Sequence, residues 1–144
     1  MTDNNEEPTP VTRNLVPEDQ RLAVVEQLFG IHFPLRLEPV IYGITEKMTQ
    51  GACRGGYWQF YTLGNGGFYM APDDDQMYSL VCDNYWQGEL SGGALGIVSC
   101  LYSFSHLSFS NDLGFAKICA RHYHWLREFM FTHPGVASIL RAID

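Results

Sequence analysis

The sequence predicts an α+β fold, a four-stranded antiparallel meander packed with about five helices, two before the sheet and three after it. Three observations carry the prediction. Apolar residues recur at intervals of three and four along both flanks of the chain. The middle alternates every second residue between turn clusters. No connection in that middle is long enough to cross over to a parallel strand.

Taken in order, residues 1 to 16 contain Asp3, Glu6, Glu7, Pro8 and Pro10 and offer little apolar surface, so they read as a disordered acidic tail. They also lack the basic and apolar regions of a secretory signal, which makes the cytoplasm the expected location. Residues 17 to 144 read as one domain. Pro17 followed by Glu18 and Asp19 suits a helix start, since proline loses nothing at the first helical position and acids favour the positive end of the helix dipole. Leu22, Val25, Leu28 and Phe29 continue that helix to Gly30. A break at Phe33-Pro34 precedes a second amphipathic helix from about Glu38 to Gln50, with Leu37, Val40, Ile41, Ile44 and Met48 at helical spacing.

The stretch from Gly55 to Pro72 places two aromatic-rich runs around Gly64-Asn65-Gly66-Gly67, a strong hairpin signal. A two- or four-residue loop sets Leu63 opposite Phe68. One face then carries Tyr57, Gln59, Tyr61, Leu63, Phe68 and Met70, and the other carries Trp58, Phe60, Thr62, Tyr69 and Ala71. Pro72 to Asp75 turns into a strand over Gln76 to Cys82, and Asp83-Asn84 turns into another over Tyr85 to Leu90. Ser91 is a good N-cap for a helix through about Leu107. Gly92, Gly96, Ser99, Ser103, His106 and Ser110 form a small-residue stripe along it, read as close helix packing or an uncharged face, with a partner contact as the sharper alternative. Asn111 or Asp112 caps a long helix to about Thr132, apolar on more than one face and so expected at the centre of the core. Pro134 breaks it, and Gly135 to Ile143 form a short last helix.

Net charge is −7, and its distribution is uneven: residues 55 to 116 hold 6 acids and no Lys or Arg. A nucleic-acid binder neutralises phosphates with a basic footprint, and none is present, so strong direct DNA binding is not expected. The run from Leu90 to Asn111 is free of Asp, Glu, Lys and Arg, but its serines, glycines and His106 fit a soluble helix better than a membrane span. Cys53, Cys82, Cys100 and Cys119 match neither a CxxC pair nor a disulfide framework and read as buried thiols.

Candidate chemistry is sparse. His122 and His124 stand two apart on a helix and point away from each other, so they do not share a metal ion. Asp73, Asp74 and Asp75 lack the alternate ligands and distal Glu of a calcium loop. There is no G-x-S-x-G elbow and no phosphate-binding loop, and nothing selects a nucleophile and base among the cysteines, His106 and His122. The reading is non-enzymatic, with no cofactor and no metal. A different class remains as the alternative: a small-molecule-binding domain or small hydrolase with a pocket between sheet and long helix.

Four separated blocks, Gly55 to Pro72, Gly88 to Val98 (GELSGGALGIV), Arg121 to Phe129 (RHYHWLREF) and Arg141 to Asp144 (RAID), together resemble the ArdB/KlcA antirestriction family. The resemblance spans roughly Pro17 to Asp144. It implies a small cytoplasmic α+β protein of mobile elements that protects incoming DNA from type I restriction-modification of the host, without catalytic residues or cofactor. Mimicry of DNA needs a dense acidic track, about one charge per 1.7 Å of axis, and 16 acids diluted by 9 bases do not supply it. Contact with a type I restriction enzyme complex fits better. The expected contact residues are Asp73, Asp74, Asp75, Asp83 and Glu89 at the turns of the meander, with Arg141 and Asp144 of the closing block as a second candidate.

Overall fold

The computed structural model describes residues 10–54, 56–72 and 74–144. Along the chain they form β1 (Arg13–Leu15), α1 (Arg21–Phe29), α2 (Glu38–Met48), β2 (Trp58–Leu63), β3 (Phe68–Pro72), β4 (Met77–Val81), β5 (Gln87–Ser91), α3 (Gly92–Leu107), α4 (Leu113–Met130) and α5 (Val136–Ile143). The α+β class and the division of helices, two before the hairpins and three after, are as predicted. The single four-stranded meander is not. The strands form one antiparallel sheet of order β1-β2-β3 and a separate pair, β4-β5.

Two causes separate the hairpins. Pro72 ends β3 and has no N–H to extend a ladder. Beyond it Asp74 closes a corner, accepting from the Gln76 amide at 3.1 Å and from the Tyr78 hydroxyl. α3 then lies directly across β3. Gly96 allows that approach, because a Cβ on it would stand 2.3 Å from the Ala71 Cβ. Four members of the small-residue stripe are therefore packing, since Gly92, Gly96, Ser99 and Ser103 are all buried, while His106 is exposed and Ser110 half-buried.

The tail boundary also moves. Residues 1 to 9 lie outside the described residues, but Arg13–Leu15 pair with β2, Arg13 opposite Leu63 and Leu15 opposite Tyr61. Val16 is buried, and its amide donates to the Phe60 carbonyl at 2.8 Å. Arg13 secures the strand from its side chain, donating to the Tyr69 hydroxyl at 2.7 Å while lying over the Tyr61 ring. Phe33-Pro34 is not a break. A π-helical turn, Phe33–Leu37, runs into α2 with Pro34 at its start, where a missing N–H is tolerated.

The first hairpin is present, one residue out of the expected register. Thr62 pairs with Phe68 and Trp58 with Pro72, so Phe60 shares a face with Phe68 and Tyr61 with Tyr69. The loop has three residues, Gly64-Asn65-Gly66, closed by Leu63 N–H to the Gly67 carbonyl at 2.8 Å. Only Gly66 takes positive φ, at 105°, as a type I turn followed by a left-handed residue requires. A one-residue slip exchanges the faces of one strand. Here it brings Phe68 into a cluster with Phe29, Phe33 and Phe60, centroids 5.5 to 6.0 Å apart.

α3, not α4, is the central helix. From Ala94 to Leu101 every residue is buried, and it touches α2, α4, α5 and β3. Its charge-free composition is what permits this. Two hydroxyls meet in the α2–α3 seam: Thr45 donates to the Ile41 carbonyl, and its oxygen is 2.7 Å from Ser99 Oγ. α3 is capped as expected, Ser91 Oγ accepting from the Ala94 amide, and α4 by Asp112 accepting from the Phe115 amide. All four cysteines are buried. Among the described residues no helix is long and apolar enough to cross a membrane.

Candidate interaction surface

The hairpin β4–β5 presents two unlike faces. Tyr78, Leu80 and Leu90 point inward and are buried, while Met77, Ser79, Val81, Gln87 and Glu89 point out. Its outer face and its two ends carry most of the residues expected to meet a partner.

Those residues do not form one patch. Asp73 lies outside the described residues. Asp74 is committed to the corner before β4, where both carboxylate oxygens are hydrogen-bonded, and burial together with that carboxylate pushes the Tyr78 hydroxyl well above its ordinary pKa. Asp75 beside it is exposed. Glu89 is exposed in mid-strand opposite Ser79. Asp83 lies at the far turn, roughly 16 Å away along a five-residue strand, and pairs with Lys47 of α2 at 3.6 Å. Both partners there are largely exposed, so the pair contributes under about 1 kcal/mol.

Arg141 and Asp144 belong to that far end. Asn84 Nδ2 donates to the carbonyls of Arg141, at 2.9 Å, and Ala142, at 3.2 Å. The Tyr102 hydroxyl donates to the same Ala142 carbonyl at 2.6 Å. The last turn of α5 is thereby clamped to the β4–β5 turn, with the Arg141 and Asp144 side chains outward and Ile143 half-buried. The expected set thus resolves into a corner with Asp74 and Asp75, a mid-strand Glu89, and a tip with Asp83, Arg141 and Asp144.

Beside the tip runs an open groove of about 550 Å³ between α2 and α3. Its lining is largely apolar, with Val40, Ile44 and Val81, and includes Lys47, Asp83 and His106. No hydrogen bond joins His106 to Ser105 or Asp83 among the described residues. Between the sheet and the long helix, Tyr69 stacks on Phe129 with centroids 5.5 Å apart, and an open depression of about 570 Å³ lies between Val11 to Arg13 at the β1 edge and Phe129, Thr132 and His133 at the end of α4.

His122 packs nearby against Phe29, Phe104 and Trp125. Burial, and then the neighbouring Arg121 charge, lower its pKa to about 4. Burial pushes the Cys100 and Cys119 thiols up to about 12, so neither supplies a thiolate at neutral pH. No group of three or more His, Cys, Asp or Glu among the described residues is arranged to hold a metal ion.

Sequence reading missed the tip itself. Asn84 was read only as part of a turn, and Tyr85 as the first residue of a strand. Tyr85 is in fact a loop residue with φ at 71°, and its side chain is 91% exposed. The available signal was Asn84, which stands between its strands as Asn65 does between its own.

Residues 52–144 match the family model described as antirestriction protein. Two KlcA antirestriction proteins of Escherichia coli are each 39% identical to this chain. One match covers 97% of this chain and 99% of the relative, the other 95% and 96%. A solved structure from work on the KlcA and ArdB proteins superposes with a TM-score of 0.87 at 39% identity, over 97% of this chain and 99% of that one. That work describes a novel fold and antirestriction activity against type I DNA restriction systems in vivo but not in vitro.

Proposed function

Since the chain belongs to the antirestriction protein family, we propose that it relieves type I restriction in the host cell through contact with protein, without imitating DNA and without a reaction of its own. The near-complete correspondence with the KlcA and ArdB fold, at a TM-score of 0.87, is the observation that carries the activity. The surface supports the mode of action. A DNA mimic requires closely spaced, uncompensated negative charge. Here Asp74 is tied into a corner, Asp83 faces Lys47, and Glu89 stands alone between them.

The partner we propose is a type I restriction enzyme complex as it exists in the cell. Activity of the relatives in vivo but not in vitro fits an inhibitor that engages a state or companion of the enzyme missing from purified mixtures. Plating of unmodified phage on a type I restricting host tests the activity, and expression of the chain should raise the plating efficiency. The acids are tested in the same assay by replacing Asp73, Asp75 and Glu89 with Ser while keeping Asp74 for the corner. Protection equal to that of the parent would remove these acids from the contact.

A further inference from the structure

The two hairpins use one turn. In Leu63-Gly64-Asn65-Gly66-Gly67 and in Cys82-Asp83-Asn84-Tyr85-Trp86, the first residue donates to the fifth residue's carbonyl, at 2.8 and 2.9 Å. The fourth donates back to the first, at 3.0 and 2.9 Å. In each the central asparagine Oδ1 accepts from the fifth amide, at 3.0 and 2.9 Å. In each the fourth residue takes positive φ, Gly66 at 105° and Tyr85 at 71°.

The two turns share the central asparagine, and the fourth position, where the backbone is left-handed, holds glycine in one and tyrosine in the other. Glycine is the residue this backbone favours, and a bulky side chain there is an outlier. Gly66 has a packing reason as well, since a Cβ on it would come within 3.3 Å of the Trp125 ring. Tyr85 has no visible reason in the fold. Its side chain is 91% exposed and makes no hydrogen bond, ion pair or ring contact with the described residues. Folding would be served at least as well by glycine. The ring is held in solvent, on a turn anchored to α5 by Asn84 and flanked by the exposed carboxylate of Asp83.

We propose that Tyr85 is the anchor of a docking surface for a basic protein partner, whose arginine or lysine stacks on the ring beside Asp83. Tyrosine is among the side chains on which interface energy concentrates, and its ring face attracts cations. Charge complementarity sets the partner's sign. The ring face and the exposed Asp83 carboxylate beside it both attract a cation, and Lys47 pairs with Asp83 in an exposed contact that a partner's cation can replace. The proposal rests on the antirestriction reading and names the surface through which it acts.

The test compares the full chain with Tyr85→Gly, Tyr85→Trp and Tyr85→Lys in the phage-plating assay, with a melting curve for each. Tyr85→Gly should melt at or above the parent temperature and yet lose about tenfold or more of the protection, as removal of an interface anchor does. Tyr85→Trp should retain protection. Tyr85→Lys should lose it, because it sets like charge against the partner. Full protection by Tyr85→Gly or by Tyr85→Lys overturns the proposal. So does loss of protection by a stably folded Tyr85→Trp. Absence of protection by the unaltered chain would defeat the antirestriction reading and this surface with it, whereas protection that survives Tyr85→Gly defeats this surface alone.

Discussion

Gly96 lies so close over Ala71 that a Cβ built on the glycine would stand 2.3 Å from the alanine's Cβ and 2.4 Å from the Met70 carbonyl oxygen. Backbone is on one side of that contact, so a side chain cannot simply swing away. Gly96→Ala should therefore force α3 off β3, costing about 1 to 3 kcal/mol or more as overpacking does, although alanine has the better helix propensity. Chemical denaturation reads the result: a lower midpoint is expected, and an unchanged or higher one would mean that helix and strand are not in close contact.

The asparagines of the two turns each serve twice. Asn65 Nδ2 reaches the Trp125 carbonyl at 3.0 Å and Glu128 at 2.7 Å, as Asn84 reaches α5. Asn84→Ala and Asn65→Ala should each cost about 1 to 3 kcal/mol in thermal or denaturant unfolding. Asn84→Asp keeps the acceptor that closes the turn and loses the donor that docks it. It should lie between parent and Asn84→Ala in stability, with faster amide exchange in the last turn of α5 as the specific sign.

His122 makes stability depend on pH. Its folded pKa is about 4, below the ordinary 6.5, because burial disfavours the cation. The unfolded chain takes up the proton first as pH falls. Stability from this group is thus complete above about pH 6.5 and declines until about pH 4, by roughly 3 kcal/mol across that window. Denaturant midpoints of the parent and of His122→Leu, measured between pH 4 and 7, should show a shallower slope in the variant. Equal slopes would assign the acid sensitivity to other groups.

The thiols offer a probe of opening. Cys100 is fully buried, its Sγ 3.6 Å from the Met70 carbonyl, and Cys119 is equally enclosed. With both held at about 12, a thiol reagent at pH 8 should label them only as fast as the native structure opens, and stoichiometrically in denaturant. Rapid labelling of either in the native protein would contradict this packing.

Much of the fold was legible because local signals and burial agreed. Ser91 and Asp112 cap the helices they were expected to cap, and Leu37, Ile41 and Met48 form the inner stripe read from their spacing. The errors share a cause: pairing depends on partners far along the chain. Asn65-Gly66 announced a hairpin, but its register turned on whether Asn65 or only Gly66 would adopt positive φ, and Phe29 and Phe33, which receive Phe68, lie outside that window. The short strand Arg13–Leu15 carries no pattern of its own and exists because β2 offers it an edge. α4 reads as apolar on several faces, yet α3 is central because it alone lacks charge. The interaction surface was legible in residue type and not in grouping. Composition marked the base-free segment, whereas the separation of Asp75 from Asp83 follows from their lying at opposite ends of β4, and the outward ring of Tyr85 from its own left-handed turn position.

The pairing of β1 with β2 also imposes an order of events. Arg13 to Val16 leave the ribosome well before Phe60 to Leu63, the residues they bond. During synthesis at about 5 to 20 residues per second, the earlier segment must wait seconds for its template. In that interval Leu15 and Val16 are open to proteases and chaperones, so β1 is among the later elements to become native.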